Sequence, residues 1–244
     1  MALKALQYAQ HTFSLSYEIV NPAAKHTIVF LHGWGSNKEL MKQAFGQTLV
    51  KFRHVYIDLP GFGNSTAPIA LDSDDYANIL ELFLSQINAD GKEIIVGHSF
   101  GGKVATLLRP KLLVLLSSAG IVWPKPLKVR AKIALFKLLK HLGLAHLRSR
   151  FVAEDAKTLN KVMYETFKQV VNEDFAETFR RFDGRALLCW GREDTATPVK
   201  SGEKINRLIA GSRLVVFDGD HYFFLKQGDA VAREIAAEVA GSVR

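Results

Sequence analysis

The stretch that decides the fold is Ile94-Ile95-Val96-Gly97-His98-Ser99-Phe100-Gly101-Gly102. It begins as an apolar run typical of a buried strand, passes through glycines and continues into a helical pattern. It therefore predicts a strand, a sharp turn and a helix. Ser99 falls in the turn, at the N-terminus of the helix, where free backbone N–H groups can stabilise a developing negative charge.

The turn matches G-x-S-x-G, the pattern of a nucleophile elbow. In such a turn the serine backbone is strained, and a side chain two residues before or after it would collide with the neighbouring chain. Gly97 and Gly101 satisfy both positions. Because five-residue matches also arise by chance, a nucleophilic Ser99 requires an acid and a histidine later in the chain.

Strands and helices alternate on both sides of this stretch, at the spacing of an α/β fold with a mostly parallel sheet. The further strands are predicted at Phe13–Val20, Thr27–Leu31, His54–Leu59, Lys111–Ser117, Arg185–Trp190 and Arg213–Phe217. The helices are predicted from Ser36 to about Leu49 and at Asp72–Ile87, Val199–Ile209 and Leu225–Val239.

The alternation stops after Gly120, and residues 121–182 show helical patterns without strands. Apolar residues recur at threes and fours from Ala131 to Leu142, and a second helical stretch runs from Ala153 to about Arg181. Such an insertion is typical of a lid over the strand ends, where α/β folds bind ligands. We therefore predict a core of residues 1–120 and 183–244 and a helical lid of residues 121–182.

Composition indicates one large globular domain with an insertion, since 48% of the 244 residues are hydrophobic and 23% are charged. The N-terminus lacks an apolar signal region, and no apolar run approaches the roughly 18 residues of a membrane span. We therefore expect an unprocessed cytoplasmic protein. Cys189 lies in an apolar run and is predicted to be a buried strand residue. The histidines show no metal-ligand spacing, so no metal is expected.

The net charge of +8 is concentrated in the predicted lid. Between Ile121 and Arg150 there are eight Lys or Arg residues and no Asp or Glu. This basic face indicates either a docking surface for an acidic partner or an ordinary solvated helix face. Nucleic acid is not an expected partner, because neither interleaved aromatic residues nor a nucleic-acid motif accompanies the charge.

Two later residues complete a catalytic constellation. Serine needs a base to become nucleophilic, and that base needs a partner that sets its tautomer. His221 follows the last predicted strand and Asp194 follows the strand before it, which is the Ser–Asp–His chain order expected of this elbow. The rival acids are weaker candidates, because Glu193 is one residue off and Asp220 is adjacent to His221 and poorly placed to reach its ring.

The loops after the first two parallel strands carry further candidates. In His32-Gly33-Trp34-Gly35 the glycines allow the backbone to approach a ligand, so the Trp34 N–H is a candidate donor to an oxyanion. His32 is predicted to brace its loop by hydrogen bonding, and not to act in catalysis. Asp58, at the next strand end, is predicted to brace its own loop.

Over essentially its whole length the chain resembles the α/β-hydrolase family. The likeness rests on His32 to Gly35, Asp58 to Ser65, Gly97 to Gly102, Gly191 to Pro198 and Asp220-His221. The resemblance implies an eight-stranded, mostly parallel sheet with antiparallel early strands, helices on both faces and a helical lid. It also implies hydrolysis through Ser99 without a cofactor, and an oxyanion hole built from the backbone N–H groups of Trp34 and Phe100.

The expected reaction is hydrolysis of a small or acyl-chain carboxylic ester through an acyl-enzyme. Two alternatives stay open. The small lid, its basic charge and His32-Gly33-Trp34-Gly35 are similar to pimeloyl-acyl-carrier-protein methyl esterases, whereas Ser99 to Gly102 are similar to carbon–carbon bond hydrolases of meta-cleavage pathways. A binding module that has lost catalysis is the hypothesis from a different class, and no member of the Ser–Asp–His set is missing to support it.

Overall fold

The computed structural model describes residues 1–123 and 161–241. Eight strands form one sheet in these residues: β1 Ala2–Tyr8, β2 His11–Val20, β3 His26–Leu31, β4 Phe52–Ile57, β5 Ile94–His98, β6 Leu112–Leu116, β7 Arg185–Gly191 and β8 Ser212–Phe217. Their order across the sheet is β1-β2-β4-β3-β5-β6-β7-β8. The β1–β2 and β2–β4 pairs are antiparallel, and all the other pairs are parallel. The α/β class and the mostly parallel sheet are confirmed.

The first strand, β1, was missed by the sequence patterns. It joins β2 through a two-residue turn in which Ala9 and Gln10 both have positive φ, 46° and 63°. A two-residue turn of this kind is usually recognisable in a sequence by Asn-Gly or Asp-Gly. Because Ala and Gln occupy these positions, the turn carries no sequence signal.

The helices of the described residues are α1 Lys38–Phe45, α2 Ser73–Gln86, α3 Phe100–Leu107, α4 Lys161–Val170, α5 Ala176–Arg180, α6 Val199–Leu208 and α7 Phe224–Gly241. Side-chain caps are present at the start of α1 and α2. Asn37 accepts from the Glu39 N–H, and Asp72 forms a reciprocal capping box with Asp75. None of the described helices is both long and apolar enough to cross a membrane.

The helical stretch predicted from 153 to about 181 contains two helices in its described part, 161–181. Helix α4 ends at Val170, and just before α5 the Phe175 N–H donates to the Gly120 carbonyl at 2.7 Å. The helix predicted at Ala131–Leu142 lies outside the described residues. The predicted lid, 121–182, is described only at 121–123 and 161–182, so its boundaries stay a prediction.

Apolar side chains fill both faces of the sheet. Helices α2, α3 and α6 cover one face, together with α4 and α5, and α1 and α7 cover the other. Cys189 in β7 is fully buried on the second face, as predicted. Because the strands from β3 to β8 are parallel, the loops that follow them meet at one edge of the sheet, where α/β folds bind their ligands.

Candidate active site

Ser99 sits in a strained turn between β5 and α3. Its φ and ψ are 50° and −114°, in a region that side-chain-bearing residues rarely occupy. Two hydrogen bonds hold the turn, from the Ser99 N–H to the Leu116 carbonyl and from the Ala119 N–H to the Ser99 carbonyl, each 3.1 Å. A Cβ on Gly97 would collide with the Gly101 carbonyl, and one on Gly101 would lie 2.5 Å from a carbonyl of the loop after β3. The steric explanation of both glycines is confirmed.

Asp194 and His221 meet in the loops that follow β7 and β8. The His221 Nδ1 lies 2.8 Å from the Asp194 Oδ2. The other carboxylate oxygen accepts from the N–H groups of Ala196 and Thr197, at 2.8 and 2.9 Å. Burial alone would raise the pKa of Asp194, but the hydrogen bonds from His221 and Thr197 lower it to about 2. An ionised carboxylate only accepts, so the His221 Nδ1 carries the proton and its Nε2 is left as an acceptor.

His98 links the histidine loop to the elbow. Its Nε2 lies 3.1 Å from the His221 carbonyl, and the two imidazole rings are 4.6 Å apart. Burial and the nearby His221 lower the pKa of His98 to about 3, so the ring is neutral and Nε2 donates. The residue preceding Ser99 therefore orients the main chain of His221. Sequence reasoning missed this role, since it depends on two residues far apart in the chain.

His32 braces the loop after β3, as predicted. Its Nδ1 donates to the Gly33 carbonyl at 2.8 Å, and its Nε2 accepts from the Leu59 N–H at 3.0 Å. Burial is the main cause that lowers the pKa of His32 to about 4. The ring therefore stays neutral and joins the loops after β3 and β4.

Three buried histidines, His32, His54 and His98, have a pKa that burial lowers, and they predict a loss of stability in acid. Between pH 6.5 and about pH 4 an unfolded chain binds protons at both His32 and His98, whereas the folded chain binds few. The free energy of unfolding should therefore fall by about 1.4 kcal/mol per pH unit for each histidine. Urea titrations at about pH 7, 6 and 5 measure this slope. His32→Gln should remove the share of one histidine from the slope and the exposed His11→Gln none, and a flat profile would contradict the prediction.

Asp58 braces the loop after β4, as predicted. Its Oδ1 accepts from the Lys38 N–H at 2.7 Å, and its Oδ2 accepts from the Lys38 Nζ at 2.8 Å and from the Asn64 N–H at 3.0 Å. Burial opposes ionisation, but these hydrogen bonds hold the pKa of Asp58 below its usual value. A buried ion pair therefore joins the start of α1 to the loop after β4.

Removing one member of this pair should cost stability. Lys38→Met leaves the Asp58 carboxylate buried without its cation, and we expect a loss of about 3–5 kcal/mol in the free energy of unfolding. Lys42→Met, which breaks the half-exposed pair with Glu18, should cost no more than about 1 kcal/mol. Urea denaturation of both variants at neutral pH measures the difference, and equal losses would contradict a special role for the buried pair.

The predicted oxyanion donors flank Ser99. Trp34 and Phe100 line the same cavity as Ser99, and their rings are 5.6 Å apart in an edge-to-face contact. Phe100 is the first residue of α3, whose N–H has no partner within the helix. Among the described residues, no hydrogen-bond acceptor is found for the backbone N–H of Trp34 or of Phe100.

The cavity beside Ser99 has a volume of about 240 Å³ and a mostly apolar wall. Its apolar residues come from the loops after β3, β6 and β7, from the start of α3 and from α4 with the residue that follows it: Trp34, Phe100, Ala119, Ile121, Val122, Phe167, Val170, Val171 and Ala196. Thr197 lies beside the candidate catalytic acid, with its Oγ1 2.8 Å from the Asp194 Oδ2. Two charged residues, Lys103 and Glu173, also line the cavity.

The sequence patterns did not identify Lys103 as a cavity residue, although its position in α3 could have indicated it. It is the only charged residue of α3, and it lies one helical turn beyond Ser99. The structure buries it to 2% exposure. In the part of the chain that the structure describes, no cluster of His, Cys, Asp and Glu is arranged to hold a metal ion.

Comparison with known proteins agrees with this architecture. A sequence model described as the alpha/beta hydrolase family matches residues 28–234. A pimeloyl-[acyl-carrier protein] methyl ester esterase of Neisseria meningitidis serogroup B is 26% identical over 253 residues, which cover 91% of this chain and 96% of the relative.

Two solved structures share the fold over nearly the whole chain. A thermophilic esterase from Thermogutta terrifontis has a TM-score of 0.72 at 17% identity and covers 99% of both chains. A meta-cleavage product hydrolase from Pseudomonas fluorescens IP01 has a TM-score of 0.71 at 19% identity and covers 98% of both. The family model spans the sheet from β3 onwards, including the elbow and both loops that supply Asp194 and His221, and the chain belongs to the alpha/beta hydrolase family.

Proposed function

We propose that this protein is a serine esterase that cleaves a carboxylic ester through an acyl-enzyme intermediate. The observation that carries the proposal is the 2.8 Å contact between the His221 Nδ1 and the Asp194 Oδ2, in loops that reach the same sheet edge as the Ser99 elbow. A histidine held in this tautomer presents a basic Nε2, which is what a serine nucleophile requires.

In the proposed mechanism, Ser99 attacks the ester carbonyl while the His221 Nε2 takes the hydroxyl proton. Asp194 keeps the ring oriented and stabilises the imidazolium. The backbone N–H groups of Trp34 and Phe100 donate to the oxyanion, and His221 then protonates the leaving alcohol. Water, deprotonated by His221, attacks the acyl-enzyme and releases the acid and the free serine.

The cavity supports a small or acyl-chain substrate. Its volume of about 240 Å³ equals that of roughly eight liquid water molecules, so it can hold one short arm of an ester. The apolar wall favours a hydrocarbon arm. We further propose that residues 121–182 form the lid over this cavity.

A second candidate substrate is a methyl ester carried on an acyl-carrier protein. The Neisseria relative supports it by its name, and the eight basic residues between 121 and 150 would suit an acidic partner. Comparing the kcat/KM of a free methyl ester with that of the same ester on acyl-carrier protein tests this candidate. A preference for the carrier-bound form that weakens with added salt would support it, and equal values would exclude a role for the carrier.

A fluorophosphonate probe tests the proposed function directly. We expect one adduct per chain, on the peptide that contains Ser99, together with turnover of p-nitrophenyl acetate. Heat-unfolded protein is the control and should not react, because activation of the serine depends on the fold. If the folded protein resists the probe and hydrolyses a meta-cleavage dienoate but no ester, carbon–carbon bond hydrolysis replaces the esterase proposal.

A further inference from the structure

Lys103 places a buried cation in the wall of the cavity that opens at Ser99. It lies four residues beyond Ser99, so the two Cα atoms are about 6 Å apart along α3. Its Nζ donates to the Val170 carbonyl at 2.8 Å and to the Glu173 carboxylate, and it lies 4.5 Å from the centre of the Phe175 ring. Burial lowers its pKa, and Glu173 opposes that change.

The Glu173 carboxylate neutralises the charge of Lys103 and can accept one further hydrogen bond. Besides Lys103 it accepts hydrogen bonds from the N–H and the hydroxyl of Ser73, whereas a carboxylate can accept about four. Its side chain is 26% exposed, compared with 3% for Lys103. The ion pair is therefore open to the cavity on its carboxylate side.

An ion pair in an apolar cavity wall contributes little to stability, because desolvation offsets much of the attraction. The few polar groups of ligand cavities commonly orient the ligand. Because the pair is neutral overall and its open side presents the Glu173 carboxylate as an acceptor, the matching ligand group is a neutral donor, which describes a hydroxyl. A carboxylate would be repelled by Glu173, and an ammonium would be repelled by Lys103.

We infer that the Lys103–Glu173 pair is a specificity site for esters in which one arm ends in a hydroxyl group. Ser99 and both members of the pair line the same cavity, so one arm of an ester held at Ser99 can extend towards the pair. The inference rests on the proposed ester hydrolysis and refines its substrate class. The competing explanation is that the pair has only a structural role, in which its hydrogen bonds hold residues 161–180 against α2 and α3.

The test compares matched esters by their kcat/KM. The acyl series is ethyl hexanoate, ethyl 6-hydroxyhexanoate and monoethyl adipate, and the alcohol series is hexyl acetate and 6-hydroxyhexyl acetate. Ethyl acetate is the reference, because both of its arms are short and neither carries a polar end. We expect the wild-type protein to prefer the hydroxyl-tipped ester at least about tenfold over its alkyl counterpart in one series, and to discriminate against the adipate ester by a similar factor.

Two variants separate recognition from a structural tie. In Glu173→Gln the Lys103 charge is no longer balanced, so the ratio of kcat/KM for monoethyl adipate to kcat/KM for ethyl acetate should rise at least about tenfold. Lys103→Met should lose the preference for hydroxyl-tipped esters, and its kcat/KM for monoethyl adipate should not rise. Glu165→Gln, on the exposed side of α4, should match the wild type in every assay.

Three results would overturn the inference. The first is equal wild-type kcat/KM values for hydroxyl-tipped and alkyl esters in both series. The second is a uniform change for all esters in the two variants, ethyl acetate included, which is the signature of a purely structural tie. The third is wild-type protein that hydrolyses no ester at all, which would refute the proposed function together with its substrate class.

Discussion

Ser99→Ala should lower kcat for p-nitrophenyl acetate by about 10⁴- to 10⁶-fold, because the acyl-enzyme can no longer form and only binding and the oxyanion donors are left. The melting temperature should change little, since the side chain lost is small. The strained backbone of residue 99 keeps its hydrogen bonds to Leu116 in β6 and to Ala119 in the loop that follows. Steady-state kinetics with a protein concentration high enough to detect the residual rate measure the loss.

Ser118→Ala is the matched control for this experiment. Ser118 is also buried near the elbow, but its hydroxyl donates to the Ala119 carbonyl, and it does not line the cavity. Its kcat should stay within about threefold of the wild type. If Ser99→Ala retained more than about a tenth of the wild-type rate, or if Ser118→Ala lost as much, a nucleophilic Ser99 would be untenable.

Asp194→Asn should lower kcat by about 10⁴-fold through a change of tautomer. The carboxamide oxygen will face the N–H groups of Ala196 and Thr197, because these two donors need an acceptor. Its NH₂ group then faces the His221 Nδ1, which must become the acceptor. The proton therefore moves to Nε2, and the ring can no longer take the proton of Ser99.

The neighbouring acids provide the controls for Asp194. Both rivals bond to backbone groups: the Glu193 carboxylate accepts from the Gly219 N–H, and the Asp220 Oδ1 accepts from the Tyr222 N–H at 2.8 Å. Glu193→Gln and Asp220→Asn should therefore keep kcat within about threefold of the wild type. A loss of several orders of magnitude in either of them, with Asp194→Asn still active, would reassign the acid.

Local patterns predicted the elements that carry the site. The β5–Ser99–α3 turn was predictable because its requirement is local: glycine is needed at Gly97 and Gly101 wherever a strand turns this sharply into a helix. The bracing roles of His32 and Asp58 were predictable for a similar reason, since polar side chains at the ends of buried strands need partners in the adjoining loops.

Other features left no local trace. The β1–β2 turn uses Ala9 and Gln10 where glycine or asparagine would have marked it. The segment between α4 and α5 is hydrogen-bonded to Gly120, more than fifty residues earlier in the chain. Because both depend on what the folded chain places next to them, the period of the apolar residues could not reveal them.

By itself the sequence determined the α/β class, the succession of strands and helices along the chain, and the three residues proposed for catalysis. Strand period, glycine sterics and chain order are properties of the chain, which is why they can be read without the fold. Only the tertiary structure decided that His98 holds the His221 carbonyl, that Thr197 binds the Asp194 carboxylate and that Lys103 meets Glu173 in the cavity wall. Those contacts join separate loops and helices, and their energies depend on distance and burial, which exist only after the sheet has brought the elements together.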